Sequence, residues 1–329
     1  MQFVKNLELP KQLPHPRALG PSGKNDYDPE FWEFFYQIRR YLEGISDDQL
    51  KQRYESIVQN MKALTSTDRD VIPIQSFLSS WYWFKKEHQT RFEFHLRRVP
   101  FTLAQPDLSK RPTDNAPIRP SSPNACNVLF RYGEKKWMTD FIESGQIRIS
   151  AASEYEKYEG DVARQDIERS KTHFMPRSHV KITTEDGHVI KPLTDVTVTV
   201  HGMDYYLYCM SCDWDLALFD AFPNTDCCVI VRDPQEFSKR LSEAAKSLLR
   251  DWYFVDLPVE YFYPYELVHQ QRIDNVLSKD FRFAYQREYR FAWATETQTA
   301  HGFINLDLGP LTDICELHDR PRSQGKHLP

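Results

Sequence analysis

Nowhere in the chain do on the order of 18 apolar residues follow one another, which excludes a membrane-spanning helix. Glycine is scarce, 11 in 329 residues. None of it falls into a G-x-G-x-x-G or a Gly-rich Lys-Ser/Thr loop, so Rossmann and P-loop phosphate cradles are excluded. The 11 histidines include no H-E-x-x-H, and no G-x-S-x-G elbow is present. A zinc protease and an elbow-type hydrolase go with them. Cysteine is sparse too, at six, and Met1–Pro10 carries no apolar segment of the signal-peptide kind. The expectation is reduced thiols in a cytoplasmic protein. Cys209-x-x-Cys212 and Cys227-Cys228 invite a zinc reading. However, the first pair lies in a strand-like stretch and the second is adjacent rather than spaced as a knuckle, so no metal is expected.

Charge of one sign is also lacking. The formal net charge of -5 and pI near 6.1 argue against polyanion binding by the whole chain, while leaving room for a local basic patch. What is present is apolar: 40% hydrophobic and 14% aromatic residues are enough for a sizeable core.

Residues 1–27, rich in Pro, Gly and Lys, read as a flexible arm. Residues 28–98 read as a bundle of three helices. The first begins at Asp28-Pro29-Glu30, carries Trp32, Phe34, Phe35, Ile38 and Tyr41 at helical spacing, and meets a stop at Gly44. Ser46-Asp47-Asp48-Gln49 is a capping box for the second, which carries Leu50, Tyr54, Ile57, Val58 and Met61. The third is expected after Pro73, through Trp83 to Arg98. Residues 99–124, punctuated by proline, read as a linker. From 125 to 329 many strands and few helices predict an α+β domain. Strands are expected at Asn127–Tyr132, Gln146–Ala151, Val196–Val200, Tyr205–Ser211 and Cys227–Val231. A helix stopped by Gly145 and a hairpin at Asp186-Gly187 complete this reading.

Three blocks carry chemistry. In Gln286-Arg287-Glu288 the Gln and Glu are two apart at the mouth of an expected strand, so alternation puts both on one face. In Phe130-Arg131-Tyr132-Gly133 a strand offers a guanidinium, whose forked donors suit a phosphate or a ribose oxygen. In Tyr208-Cys209-Met210-Ser211-Cys212 a strand carries Ser211. Each block alone has an ordinary reading, as a solvated strand end or a surface arginine.

Together, in the order Arg131, Ser211, Glu288, the blocks resemble the mono-ADP-ribosyltransferases of the Arg–Ser–Glu type, and a bacterial domain family with an Arg-Tyr first strand. The resemblance covers about residues 127–318. It departs from the family pattern at Cys209, where a serine is usual. It implies a split β-sheet domain binding NAD as the ADP-ribose donor. Glu288 and Gln286 would be the catalytic pair, and Arg131, Tyr132, Ser211, Tyr155 and Arg164 would hold the dinucleotide. Glu288→Gln is then expected to stop transfer with folding nearly unchanged. The resemblance also implies a bacterial toxin or phage-defence effector with a possible antitoxin partner. The acceptor stays open between RNA or DNA, a protein side chain, and none, if the domain is a binding module with a decayed site. A cationic track of Lys85, Lys86, Arg91, Arg97, Arg98, Lys110, Arg111 and Arg119 could serve a nucleic-acid acceptor. The same residues could equally solvate a helix that packs its aromatics inward.

Overall fold

The computed structural model describes residues 29–64, 80–100, 126–157, 167–175, 177, 180–265 and 274–321. The expected arm and nearly all of the Pro-rich linker lie outside them, as does Arg164. Three helices come first: α1 (Pro29–Arg39), α2 (Asp47–Leu64) and α3 (Ser80–Arg97). The capping box forms reciprocally, with the Gln49 N–H donating to Ser46 Oγ at 3.2 Å and the Ser46 N–H to Gln49 Oε1 at 2.9 Å. α1 ends before the expected stop at Gly44, because Arg40 takes a left-handed φ of 28° and turns its guanidinium onto Glu93. Leu50, Tyr54, Ile57 and Met61 are buried as the spacing of α2 predicts, whereas Phe34, Phe35 and Ile38 of α1 are exposed.

The rest is built around an eight-stranded antiparallel sheet, with three separate two-stranded pairings among the described residues. In chain order the elements are β1 (Leu129–Gly133), α4 (Lys135–Ser144), β2 (Gln146–Ala151), α5 (Ala152–Tyr155), β3 (Ser170–Met175), β4 (Ile182–Thr183), β5 (Val189–Ile190) and β6 (Val196–His201). Then follow β7 (Tyr206–Ser211), α6 (Leu216–Ala221), β8 (Cys227–Val231), α7 (Pro234–Ala245), β9 (Tyr253–Pro258), β10 (Glu260–Phe262) and β11 (Ser278–Asp280). A 3-10 helix (Phe281–Gln286), β12 (Glu288–Ala294), β13 (Phe303–Asp307) and β14 (Cys315–Asp319) complete the chain. α4 stops at Gly145, whose φ of 68° and N–H bond to the Phe141 carbonyl make the expected left-handed cap. A side chain there would run into the Gly309 backbone.

β7 is the centre of the sheet. One edge pairs with β12, which pairs with β9. The other edge is shared: β1 joins it at Phe130↔Ser211, and β2 joins it at Ser150↔Leu207 and Ala151↔Tyr206. From that fork β1 continues to β8 and β14, and β2 continues to β13. The sheet is therefore split, and the stretch of β7 between Leu207 and Ser211 has β12 on one side and the fork on the other.

α4 and α7 cover one face through Phe141, Phe237, Leu241 and the strand residues Val229, Met210 and Phe291. The three N-terminal helices lie against other parts of the domain. Trp32, Tyr54 and Trp83 share one apolar cluster with Phe130, Trp214, Tyr261 and Phe281. Asn60 of α2 ties the two parts further by donating to the Phe281 carbonyl at 3.1 Å.

The thiol expectation needs correcting. Cys126 and Cys212 are disulfide-bonded, since the Phe130↔Ser211 pairing brings the chain entering β1 beside the chain leaving β7. Cys209, Cys227, Cys228 and Cys315 are free. Among the described residues no helix is long and apolar enough to cross a membrane, and no His/Cys/Asp/Glu group is arranged to hold a metal.

Candidate functional site

The fork brings the distant motifs to one level. Phe130, Ser211 and Glu288 are register partners across β1, β7 and β12. Arg131, next along β1, donates from Nη1 to the Cys209 carbonyl at 2.6 Å, and its guanidinium lies 4.7 Å from the Tyr208 ring centre. Its Nε–H is buried without a hydrogen-bond partner. Burial opposes the guanidinium charge, but Tyr208, Tyr155, Cys209 and Glu288 outweigh it and raise the pKa. The pKa of the Tyr155 hydroxyl, from α5, is pushed up chiefly by burial and then by Cys209, Glu288 and Glu168, with Arg131 acting against them. Arg131, Tyr155, Ser211 and Glu288 are thus assembled from four separate elements.

Ser211 acts on the backbone. Its hydroxyl donates to the Gln286 carbonyl at 2.8 Å and accepts from the Asp213 N–H at 3.1 Å. This fixes the turn that leads into β12. That turn needs fixing, because Arg287 sits at φ 42°, a strained value for a residue with a side chain. Arg287 is further held by Asp213 Oδ2 at 2.6 Å, and its carbonyl by the Cys212 N–H at 2.8 Å. Gln286 is therefore not on the strand, as alternation predicts, but closes the 3-10 helix before it. The Gln and Glu side chains still converge, through a residue that the sequence reading missed. Lys279 Nζ donates to Gln286 Oε1 at 3.1 Å and to Glu288 Oε2 at 2.7 Å.

The other oxygen of Glu288 is held by Arg290, whose Nε lies 2.8 Å and Nη2 2.7 Å from Oε1. Arg290 is fully buried and also donates to Glu168 Oε1 at 3.0 Å, to the Tyr205 hydroxyl at 3.0 Å and to the Val276 carbonyl at 2.6 Å. Lys171 and Lys279 each stand 3.6 Å from Glu168. Glu288 is 5% exposed and Glu168 2%. β12 is thus not a strand with a solvated charged face; its charged residues turn inward to a shared ion cluster. The alternation Glu288-x-Arg290 was a usable signal, since residues two apart on a strand share a face. Nothing in the sequence around Glu168 distinguishes it from a solvated carboxylate.

Burial would push both carboxyls up, but Arg290 with Lys279 for Glu288, and Arg290 with Lys171 and Lys279 for Glu168, hold them below the usual carboxylate range. The Cys209 thiol is pushed up by burial and by Glu288, so it stays protonated. The arrangement offers a charged carboxylate flanked by two cations, one of which, Lys279, also holds a neutral amide.

Two expectations are corrected. Tyr132 does not face this site. Its ring packs on Trp214, Phe219 and Phe222, and its hydroxyl donates to the Asp213 carbonyl at 3.0 Å while accepting from the Asp215 N–H at 2.9 Å. It braces the β7–α6 loop instead. The cationic track is the second. Lys86 is buried among tyrosines, Arg91 pairs with Glu87, and Arg97 holds Glu93 at 2.7 Å and Asp47 at 3.0 Å. α3 is enclosed on nearly every side, so these three charges serve the bundle rather than a solvent face, whereas Arg98 of the track is exposed. Lys110, Arg111 and Arg119 lie outside the described residues, as does Arg164. In comparisons with family models, with curated proteins and with solved structures, the chain has no match.

Proposed function

We propose that the chain is an NAD-dependent ADP-ribosyltransferase with its site at the fork of β7. The observation that carries this reading is the meeting of Arg131, Ser211 and Glu288, far apart in sequence, on three adjacent strands at the split. One buried donor without a hydrogen-bond partner, Arg131 Nε, fits a ligand that brings phosphate oxygens. NAD, when bound, supplies a glycosidic bond whose cleavage develops positive charge on the ribose. Arg131 would hold the dinucleotide, and Tyr155 would offer a ring beside it. Ser211 keeps the turn into β12 in place, and Glu288 would present its carboxylate to a ribose hydroxyl and to the developing charge. For that, Glu288 has to give up one oxygen now held by Lys279. Gln286 is better assigned to holding Lys279 than to orienting an acceptor.

The acceptor class belongs to the same proposal, as does the setting of a toxin or phage-defence effector with an antitoxin. The engagement of Arg91 and Arg97 inside the bundle removes the main argument for nucleic acid over protein. A second reading also has an observation in its favour. Both oxygens of Glu288 are in ion pairs, as in a binding module whose charge cluster is structural.

Radiolabelled NAD incubated with the protein and a cell lysate tests all three. Label that survives protease but not nuclease identifies a nucleic-acid acceptor, and the opposite pattern a protein. If the wild type releases no nicotinamide and transfers no label, the transferase reading fails and the structural cluster stands.

A further inference from the structure

We infer that Arg53 and Tyr263 form a binding site for an oxyanion, the phosphate or carboxylate group of a small molecule, where the helical bundle meets the sheet domain. No residue of it belongs to the Arg131–Glu288 site, and it stands whether or not NAD is a substrate. Arg53 projects from α2 and is 2% exposed. Its guanidinium lies 4.7 Å from the ring centre of Tyr263, 5.7 Å from Tyr265 and 5.9 Å from Tyr41. Nη1 donates to Thr90 Oγ1, whose own O–H donates to the Lys86 carbonyl at 2.7 Å. Nε and Nη2 have no hydrogen-bond partner.

Those two nitrogens form one edge of the guanidinium, the edge that matches a two-oxygen group. Elsewhere in this protein a carboxylate occupies it: Glu288 on Arg290, Glu93 on Arg40 and Glu156 on Arg169. Arg53 is nearly as buried as Arg290, yet it faces aromatic rings and the Tyr41 hydroxyl there, with no carboxylate of the described residues on that edge. An arginine keeps its charge, and a buried charge without a counter-ion is costly. The Tyr263 hydroxyl, on a ring touching the guanidinium, is also buried without a hydrogen-bond partner. Lys86 of α3 adds a second positive group, its Nζ 4.7 Å from the Tyr263 ring centre and 4.9 Å from that of Tyr41. Burial and Arg53 depress its pKa, so an incoming anion would favour its charged form. Asp280, a carboxylate that acts on Tyr82 and Tyr265, accepts the Arg282 N–H at 3.0 Å rather than the free edge of Arg53.

Thermal unfolding of the full chain in sodium phosphate and in sodium acetate, each against chloride of equal ionic strength, tests the site. Millimolar phosphate or acetate should raise the wild-type Tm by several degrees, and the more effective anion names the group. Arg53→Met should abolish the response while leaving the anion-free Tm unchanged or higher, because a buried charge has become apolar. Tyr263→Phe keeps the ring and should weaken binding by titration calorimetry about tenfold through loss of one hydrogen bond to a charged group. No anion-specific shift in the wild type overturns the proposal, and so does an undiminished shift in Arg53→Met. If Arg53→Met fails to fold, an unchanged Kd in Tyr263→Phe overturns it equally.

Discussion

Replacing Glu288 by Gln separates the transferase reading from its structural background, and the fold makes the change far from silent. The sequence alone favours a shape-conserving swap with little effect on folding. In the structure the carboxylate takes one bond from Lys279 at 2.7 Å and one from Arg290 Nε at 2.8 Å, with Arg290 Nη2 in an ion pair at 2.7 Å, at 5% exposure. An amide keeps one acceptor and turns an N–H2 group towards a cation. Breaking a buried pair by removing one partner costs about 3–5 kcal/mol. That is a large part of a typical total of about 5–15 kcal/mol. At roughly 2–4 °C per kcal/mol for domains of about 150–250 residues, Tm should fall on the order of 10 °C. Urea and thermal unfolding of Glu288→Gln, Lys279→Met and the double variant measure this directly. The double variant should be less destabilised than the sum of the singles, by about 1 kcal/mol or more, since each removes the other's partner. Strictly additive losses, or a loss below about 1 kcal/mol in Glu288→Gln, would refute the buried-cluster argument. Nicotinamide release must then be compared at a temperature where both proteins are folded. Retained activity per folded molecule would remove Glu288 from the chemistry.

The same cluster sets an acid limit. Glu168 and Glu288 have depressed pKa values, so their stabilisation is complete above the unfolded value of about 4.3 and is lost as pH falls below it towards the folded values. Tm of the wild type should therefore drop steeply below about pH 4.3, and Glu168→Gln should have a shallower drop there; parallel curves would contradict the linkage. Arg97→Gln should destabilise by about 3 kcal/mol, because Arg97 holds fully buried Glu93 and the Ile45 carbonyl that ends the α1–α2 turn. A near-neutral result in chemical denaturation would return Arg97 to the surface. Reduction of Cys126–Cys212, which spans 86 residues, should lower stability by about 2–4 kcal/mol, read from unfolding with and without dithiothreitol. Equal curves, with the disulfide verified by mass spectrometry beforehand, would leave it without a stabilising role.

Much of this was decided locally. The Ser46–Gln49 capping box, the left-handed stop at Gly145 and the strand Cys227–Val231 depend on a few neighbouring residues, and they are where the sequence predicts them. Arg131, Ser211 and Glu288 were legible as residue types in an order along the chain, and their meeting at one level came from strand register. Other features depend on contacts between segments far apart. Gln286 left the strand because the left-handed Arg287, pinned by Asp213, inserts a turn before it. Arg91 and Arg97 became internal because Glu87 and Glu93 of their own helix are buried with them. Lys279 and Glu168 entered the Glu288 cluster from segments 9 and 120 residues earlier, and no periodicity links such positions. Spacing along a chain sets which side chains share a face. Whether that face meets water, a counter-charge or another strand is set by the sheet's fork and the packing around it.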